Sequence, residues 1–209
     1  MSGRNSLNPG AMPLSARRPL KPILVTGSGR SGTTAVARIL AAGGMSHFWD
    51  PDSLNAETLE DILAWEGRGN PEAIAEIRQR RGEGPWLYKK PLVLHKMRGN
   101  SALVPLVDSD LVVVCRDPVA EARYDGADRE RAILSRARLA AQQIEFAIQL
   151  AGRWGVMFLS YDLMKDPDNL PVMVKALFKW AGLSTRSDNV ERGVGQFVPG
   201  DPRYHGADR

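Results

Sequence analysis

A segment rich in glycine and hydroxyl side chains, residues 27–34, has the composition of a phosphate-binding loop. It reads GSGRSGTT and lies between a short apolar run and a stretch with helical periodicity. Glycines let backbone N–H groups turn around an anion, and the amino end of a following helix adds partial positive charge. Four side chains supply further donors: Arg30, Ser31, Thr33 and Thr34. We therefore expect this segment to bind a phosphate-type anion.

The spacing from Gly27 to Gly32 is that of the ATP-type phosphate loop, with one replacement. That motif places a lysine after the second glycine, and here the residue is Thr33. Because the lysine reaches the β- and γ-phosphates, its loss disfavours ordinary nucleoside-triphosphate chemistry. A P-loop kinase or NTPase with Asp117 as a metal-holding acid stays as an alternative, although Arg116 directly before this acid disfavours it as well. A glycine-rich turn without a ligand is a further alternative.

The loop resembles that of another enzyme family. A cation two residues before the second glycine, followed by Ser-Gly-Thr-Thr, is similar to the loop of sulfotransferases that use 3′-phosphoadenosine 5′-phosphosulfate (PAPS). Residues 112–118 (VVVCRDP) resemble the segment in which the family's arginine binds the 3′-phosphate. The alternative for Arg116 is that it ends the strand and pairs with Asp117. The family's usual serine, eight residues later, is Tyr124 here, and a phenol can also donate a hydrogen bond to phosphate.

Weaker similarities extend the resemblance over residues 23–198. Residues 86–91 (WLYKKP) resemble the family's Lys-Asp-Pro segment. Residues 159–167 (LSYDLMKDP) resemble its Tyr-Glu-Asp-Leu segment. In this second segment we expect Tyr161 and Asp162 to stabilise the fold. Residues 192–195 (RGVG) resemble a late basic-glycine loop over the 3′-phosphate, with a plain surface loop as the alternative. The residues that the resemblance assigns to PAPS are Gly29, Arg30, Ser31, Gly32, Thr33, Thr34, Arg116, Tyr124 and Arg192.

The resemblance implies an in-line transfer of a sulfuryl group from PAPS to a hydroxyl or amine, without a required metal. Lys89 is expected to bind the sulfuryl or the bridging oxygen, with a surface lysine as the alternative. The histidine base of the cytosolic branch is absent. The tyrosyl-protein branch uses a glutamate at the end of the second strand, and twenty residues from Arg30 this position is Asp50. We prefer Asp50 as the base, and His47 and His95 are the next candidates. For each of the three, the alternative is a role as a cap or as a surface polar residue.

Strands that alternate with helices predict an α/β fold, a P-loop-containing three-layer arrangement with a mostly parallel central sheet flanked by helices. The ligands of such sheets bind at the carboxyl ends of the strands. Apolar runs predict strands over residues 23–26, 45–49, 86–89, 111–115 and 156–159. Helical spacing predicts helices over residues 33–42, 56–65, 71–81 and 170–180, and a long helix from residue 128.

Composition fits one soluble domain over residues 23–209, preceded by a flexible basic arm over residues 1–22. The chain has 209 residues, of which 43% are hydrophobic and 25% charged, and it has no apolar run long enough to cross a bilayer. Its only cysteine is Cys115, in an apolar run, so a reducing compartment such as the cytoplasm is expected.

The net charge of +4 suits a polyanionic ligand. We expect a small-molecule or carbohydrate acceptor and neither nucleic acid nor membrane as a partner, because the basic residues are scattered. The arginines of the long helix are expected to form a solvated face: Arg129, Arg131, Arg136 and Arg138. A nucleotide-binding module that has lost its base remains a further alternative.

Overall fold

A parallel sheet forms the centre of the fold. The computed structural model describes residues 22–45, 87–99, 109–122 and 129–198. In these ranges the sheet has four strands, β1 (Ile23–Gly27), β2 (Leu87–Lys89), β3 (Asp110–Cys115) and β4 (Val156–Ser160), in the order β2-β1-β3-β4. Their register pairs Val25 with Lys89 on one side of β1 and with Val112 on the other. Because all four strands run in one direction, their carboxyl ends meet at one edge of the sheet.

Helices connect the strands or follow the last of them. They are α1 (Thr33–Ala42), α2 (Val93–Gly99), α3 (Pro118–Ala122), α4 (Arg129–Leu150), α5 (Tyr161–Met164), α6 (Asn169–Trp180) and α7 (Ser187–Val194). Within the described ranges, none of these helices combines the length and the apolarity that a membrane span requires.

Both faces of the sheet are covered by helices, which gives three layers. On one face, Val25 of β1 packs in a buried cluster with side chains of α1, α6 and α7, among them Ile39 and Phe178. On the other face, Leu24 packs with Leu94 of α2 and with residues of α4. Neighbouring residues of a strand point to opposite faces, so a strand covered on both sides is apolar throughout. The predicted fold class is confirmed.

The elements that flank the candidate loop follow the sequence predictions closely. Strand β1, helix α1 and the long helix α4 lie where the apolar patterns place them. Strand β3 begins one residue earlier than predicted, at Asp110, whose Oδ1 accepts a 2.7 Å hydrogen bond from the N–H of Gly155, directly before β4. Met45 lies outside any strand. The predicted elements at residues 46–49, 56–65 and 71–81 lie outside the described residues.

The carboxyl-terminal helix corrects one expectation. Residues 192–194 form the last turn of α7 and Gly195 ends this helix, so the segment predicted as a loop is largely helical. Gly193 lies where α7 crosses α6, and a Cβ atom there would lie 2.8 Å from side-chain atoms of both Phe178 and Val174. The glycine is therefore needed for the close approach of two helices. This packing role, rather than a loop, explains why a glycine stands in this basic segment.

Candidate functional site

The backbone of the loop between β1 and α1 is shaped to bind an anion. Arg30 and Gly32 have left-handed backbone, with φ of 68° and 96°, and Ser31 lies between them. Alternation of this kind turns successive N–H groups toward one concavity. Gly32 is the N-cap of α1 and has no side chain that could cap the helix. The N–H groups of the first turn have no acceptor within the helix, so they are donors for a ligand at the loop.

Two of the glycines are needed because other groups approach the loop closely. A Cβ atom at Gly27 would overlap the carbonyl oxygen of Val114 on β3. A Cβ atom at Gly32 would overlap the ring of Tyr161, which lies against the loop at the start of α5. The Tyr161 ring in turn packs on Phe197, with 5.3 Å between the ring centroids. The start of α1 is thus held between the sheet and an aromatic pair.

Ser31 is the hydroxyl residue at the centre of the loop. Its side chain is buried, and among the described residues its Oγ has no hydrogen-bond partner. A buried hydroxyl without a partner costs free energy, about 1–3 kcal/mol. A phosphate or sulfate oxygen bound in the loop would satisfy it, so the residues present fit the anion that the sequence predicts.

Lys89 brings positive charge to the first turn of α1. It ends β2, it is 8% exposed, and its Nζ donates a 3.1 Å hydrogen bond to Oγ1 of Thr34. The chain after β2 stays beside β1, because the N–H of Lys90 donates to the carbonyl of Val25 (3.0 Å) and the N–H of Leu92 to that of Gly27 (2.8 Å). The structure therefore places Lys89 at the predicted site, on the β2 side of the loop.

Arg116 approaches the loop from the opposite side, after β3. Its Nη1 donates a 3.0 Å hydrogen bond to the carbonyl of Arg30, and its guanidinium lies 5.0 Å from the centroid of the Tyr161 ring. The turn that carries Arg116 is held by Asp162, whose Oδ2 accepts a 2.7 Å hydrogen bond from the N–H of Asp117. Asp162 thus positions the segment after β3, as the sequence predicted of a residue that fixes the fold.

The groups around Asp162 favour its ionised form. Burial raises the pKa of its carboxyl, but the hydrogen bonds from Lys165 and from the N–H of Asp117, with the charges of Lys165 and Arg116, outweigh this effect. The pKa of Asp162 therefore lies below its ordinary value. The carboxylate stays ionised and remains an acceptor for the turn.

Glu121, on α3, is a buried carboxyl group in contact with the loop. One of its oxygens accepts a hydrogen bond from the hydroxyl of Ser28. Burial raises the pKa of Glu121 to about 7, while the Ser28 hydrogen bond and the charges of Arg136 and Arg116 lower it and the charge of Asp162 raises it. The sequence analysis missed this residue, because a single acid on a short helix matches no motif.

Arg136 corrects the expectation that the arginines of α4 form a solvated face. Its side chain is half-buried, and its Nη1 lies 3.2 Å from the place that a Cβ atom at Gly29 would occupy. The same guanidinium lowers the pKa of Glu121. Arg131 and Arg138 are exposed, as predicted. Helical periodicity separates apolar from polar positions but does not show which polar residue faces a neighbouring loop.

The structure brings together only part of the predicted set. Arg192 donates a 2.7 Å hydrogen bond to Oδ1 of Asn189, whose side-chain amide contacts the carbonyl of Gly43 at 3.4 Å. Gly43 follows the end of α1, so this contact lies about 15 Å along the helix from the loop. His95 is exposed on α2. His47, Asp50 and Tyr124 lie outside the described residues, and their roles stay predictions.

Comparisons with solved structures identify the fold. The sulfotransferase domain of the Synechococcus PCC 7002 olefin synthase superposes with a TM-score of 0.55 at 15% identity, covering 91% of this chain and 81% of that one. Sulfotransferase STF9 from Mycobacterium avium gives a TM-score of 0.51 at 13% identity, covering 92% and 70%. No protein-family model matches the chain, and no curated protein matches it in sequence. The chain therefore has a sulfotransferase-like fold.

The contact between Gly32 and Tyr161 can be tested with a matched pair of variants. Gly44 is also left-handed, with φ of 104°, but a Cβ atom there would meet nothing within 4 Å. Gly44→Ala should therefore cost only the backbone strain, about 1–2 kcal/mol of unfolding free energy. Gly32→Ala should cost a further ~1–3 kcal/mol, because the new methyl group overlaps the ring. Urea unfolding measures both, and equal losses would contradict the packing described here.

Burial of Glu121 predicts how stability depends on pH. Since its pKa rises from 4.5 to about 7 on folding, the native state binds the extra proton, and stability falls as pH rises between these values. At pH 8 the ionised carboxylate should cost up to about 3 kcal/mol, which Glu121→Gln should recover, with little gain at pH 5. Urea unfolding at both pH values checks this, with the exposed Glu191→Gln as control. A gain that does not depend on pH would refute it.

Proposed function

We propose that this chain transfers a sulfuryl group from PAPS to a hydroxyl or amine of a small-molecule or carbohydrate acceptor. The observation that most supports the proposal is the pair of contacts on the two sides of the loop, from Lys89 to Thr34 and from Arg116 to Arg30. Both cations reach a turn whose own N–H groups suit an anion. The sulfotransferase-like fold, established independently of the motifs, agrees with this reading.

In this proposal the two anionic groups of the nucleotide bind on different sides of the loop. The loop N–H groups, the Ser31 hydroxyl and Arg30 bind the 5′-phosphosulfate. Arg116 binds the 3′-phosphate, as the resemblance implies. Arg116 already donates to the backbone of Arg30, so the two phosphate-binding residues are held relative to each other before a ligand arrives. Such preorganisation lowers the entropic cost of binding.

The chain's cations lie where transfer develops negative charge. The bond between sulfur and the bridging oxygen breaks as the acceptor atom bonds to sulfur, and the electron pair stays on the 5′-phosphate of the departing adenosine 3′,5′-bisphosphate (PAP). Arg30, Lys89 and the N–H groups of the first turn stabilise this oxygen. Lys89 contacts Thr34, which corresponds to the residue whose hydroxyl binds Mg²⁺ in ATP-type loops. A lysine ammonium thus supplies positive charge next to that hydroxyl.

The acceptor must lose a proton during transfer. We propose Asp50 as the base that receives it, with His47 and His95 as the residues to test next. Asp50 and His47 belong to the segment between α1 and β2, outside the described residues. His95 is on α2, directly after the turn that binds Gly27, and its exposed side chain is accessible to an acceptor.

Nucleotide binding tests the proposal most directly. Arg30→Ala and Arg116→Ala should each weaken PAP binding by about 2 kcal/mol, roughly thirtyfold, because each removes a charge-assisted contact to phosphate. Calorimetric titration measures this, with the exposed Arg186→Ala as a matched loss of charge. Unchanged affinity in both variants would refute the assignment. Tighter binding of magnesium ATP than of PAP by the unaltered protein would favour a kinase or NTPase instead.

Variants of Lys89 and Asp50 separate catalysis from binding. Lys89→Met keeps most of the buried side-chain volume and removes the charge, and Asp50→Asn removes the proposed base. Each should slow the conversion of PAPS to PAP about a hundredfold with an acceptor panel, and Asp50→Asn should leave PAP affinity unchanged. Single-turnover assays with labelled PAPS measure the rate. Full activity in both variants would contradict these roles, and PAP binding without any turnover in the unaltered protein would indicate a non-catalytic module.

A further inference from the structure

We propose that Arg136 is a further phosphate-binding residue of this site and that it shares the 3′-phosphate of the nucleotide with Arg116. The inference rests on the proposed function, since it assigns a second cation to the same ligand. It goes beyond the motifs of the sequence, in which Arg136 is one of several arginines on a long helix. Its support comes from contact, charge and position.

The first support is the proximity of Arg136 to the loop. Nη1 of Arg136 lies 3.2 Å from the position of a Cβ atom at Gly29, so the guanidinium lies directly beside the space that a side chain at this position would fill. Arg136 belongs to α4, a helix of 22 residues that packs on α3 and β3. A side chain on a packed helix keeps its origin fixed, which a phosphate-binding residue needs.

The second support is that the charges of two guanidinium groups act on one carboxyl, that of Glu121. Arg136 and Arg116 both lower the pKa of Glu121, so both lie near its carboxyl group. Other charged or titratable groups that act here are Asp162, which raises the pKa of Glu121, and Cys115, whose own pKa is raised by burial and by Glu121. Two arginines against a carboxyl with a pKa of about 7 leave excess positive charge for a phosphate dianion.

The third support is the position of these groups in the sheet. Strand order places β2 on one side of β1 and β3 on the other, so Lys89 approaches the loop from one side and the β3 groups from the other. Lys89 is at the end where the sulfuryl group would be transferred. Arg116 and Glu121 follow β3, and Arg136 acts on Glu121. Arg136 is therefore on the side that the proposed function gives to the 3′-phosphate.

The alternative is that Arg136 only neutralises Glu121. The two roles make different predictions when the carboxyl is removed. If Arg136 serves Glu121 alone, then Arg136→Ala should have no effect in a Glu121→Gln protein, because no charge is left to neutralise. If Arg136 binds phosphate, then the loss of affinity should persist in that protein.

The experiment is a titration of the unaltered protein and four variants with two nucleotides. PAP and adenosine 5′-phosphate differ only in the 3′-phosphate, and the weaker ligand is measured by competition. Arg136→Ala should bind PAP at least tenfold more weakly and adenosine 5′-phosphate within about threefold of the unaltered protein. Arg138→Ala removes an equal charge from an exposed position two residues along the same helix and should change neither affinity. The double variant Glu121→Gln/Arg136→Ala is compared with Glu121→Gln.

Three results would overturn the inference: PAP affinity unchanged in Arg136→Ala, an equal loss for both nucleotides, or a loss that vanishes in the Glu121→Gln protein. Thermal unfolding of each variant shows that it is folded during the titration. If Arg116→Ala weakens PAP binding while Arg136→Ala does not, the proposed function stands and only this inference fails. If the unaltered protein binds no PAP, the proposed function fails and the inference with it.

Discussion

The backbone N–H groups at the amino end of α1 have no acceptor within their own helix, and the rest of the site is arranged around this constraint. A capping side chain would satisfy some of them, but Gly32 occupies the cap and its left-handed backbone is covered by the ring of Tyr161. The donors therefore have no side-chain cap, and aromatic packing restrains the loop from outside. Stability and the proposed anion binding thus depend on the same few contacts.

Charge around the loop is divided between its two sides. On the β2 side, Lys89 contacts the first turn of α1. On the β3 side, the charges of Arg116 and Arg136 act on the buried carboxyl of Glu121, which also accepts a hydrogen bond from the hydroxyl of Ser28. Burial of a carboxylate costs free energy. Here the carboxyl of Glu121 holds the loop through Ser28, and the charges of the two arginines favour its ionised form.

Local patterns in the sequence predicted the loop and the strands that flank it, because each depends on a few neighbouring residues. The approach of Lys89 and Arg116 could be predicted as well, because parallel strands end at one edge of the sheet. Glu121 and Arg136 could not be found in this way. Their roles arise from packing between segments distant in the chain, and their residue types are ordinary on helices. The prediction for the segment at Arg192 was wrong because a local pattern misled it. A basic-glycine pattern suggested a loop, but Gly193 is needed for helix packing.

Thr33 stands where ATP-type loops have a lysine, and Lys89 of β2 brings a positive charge to the same turn. In an ATP-type loop the cation belongs to the loop itself and reaches along the phosphates. Here a cation on the neighbouring strand β2 reaches the helix instead, and its position is set by strand pairing, since Lys89 lies opposite Val25. Because successive residues of a strand point to opposite faces, a shift of β2 by one residue would turn this ammonium away from Thr34. The charge at the first turn of α1 thus depends on the register of a strand of three residues, which the backbone bonds of Lys90 and Leu92 to β1 secure.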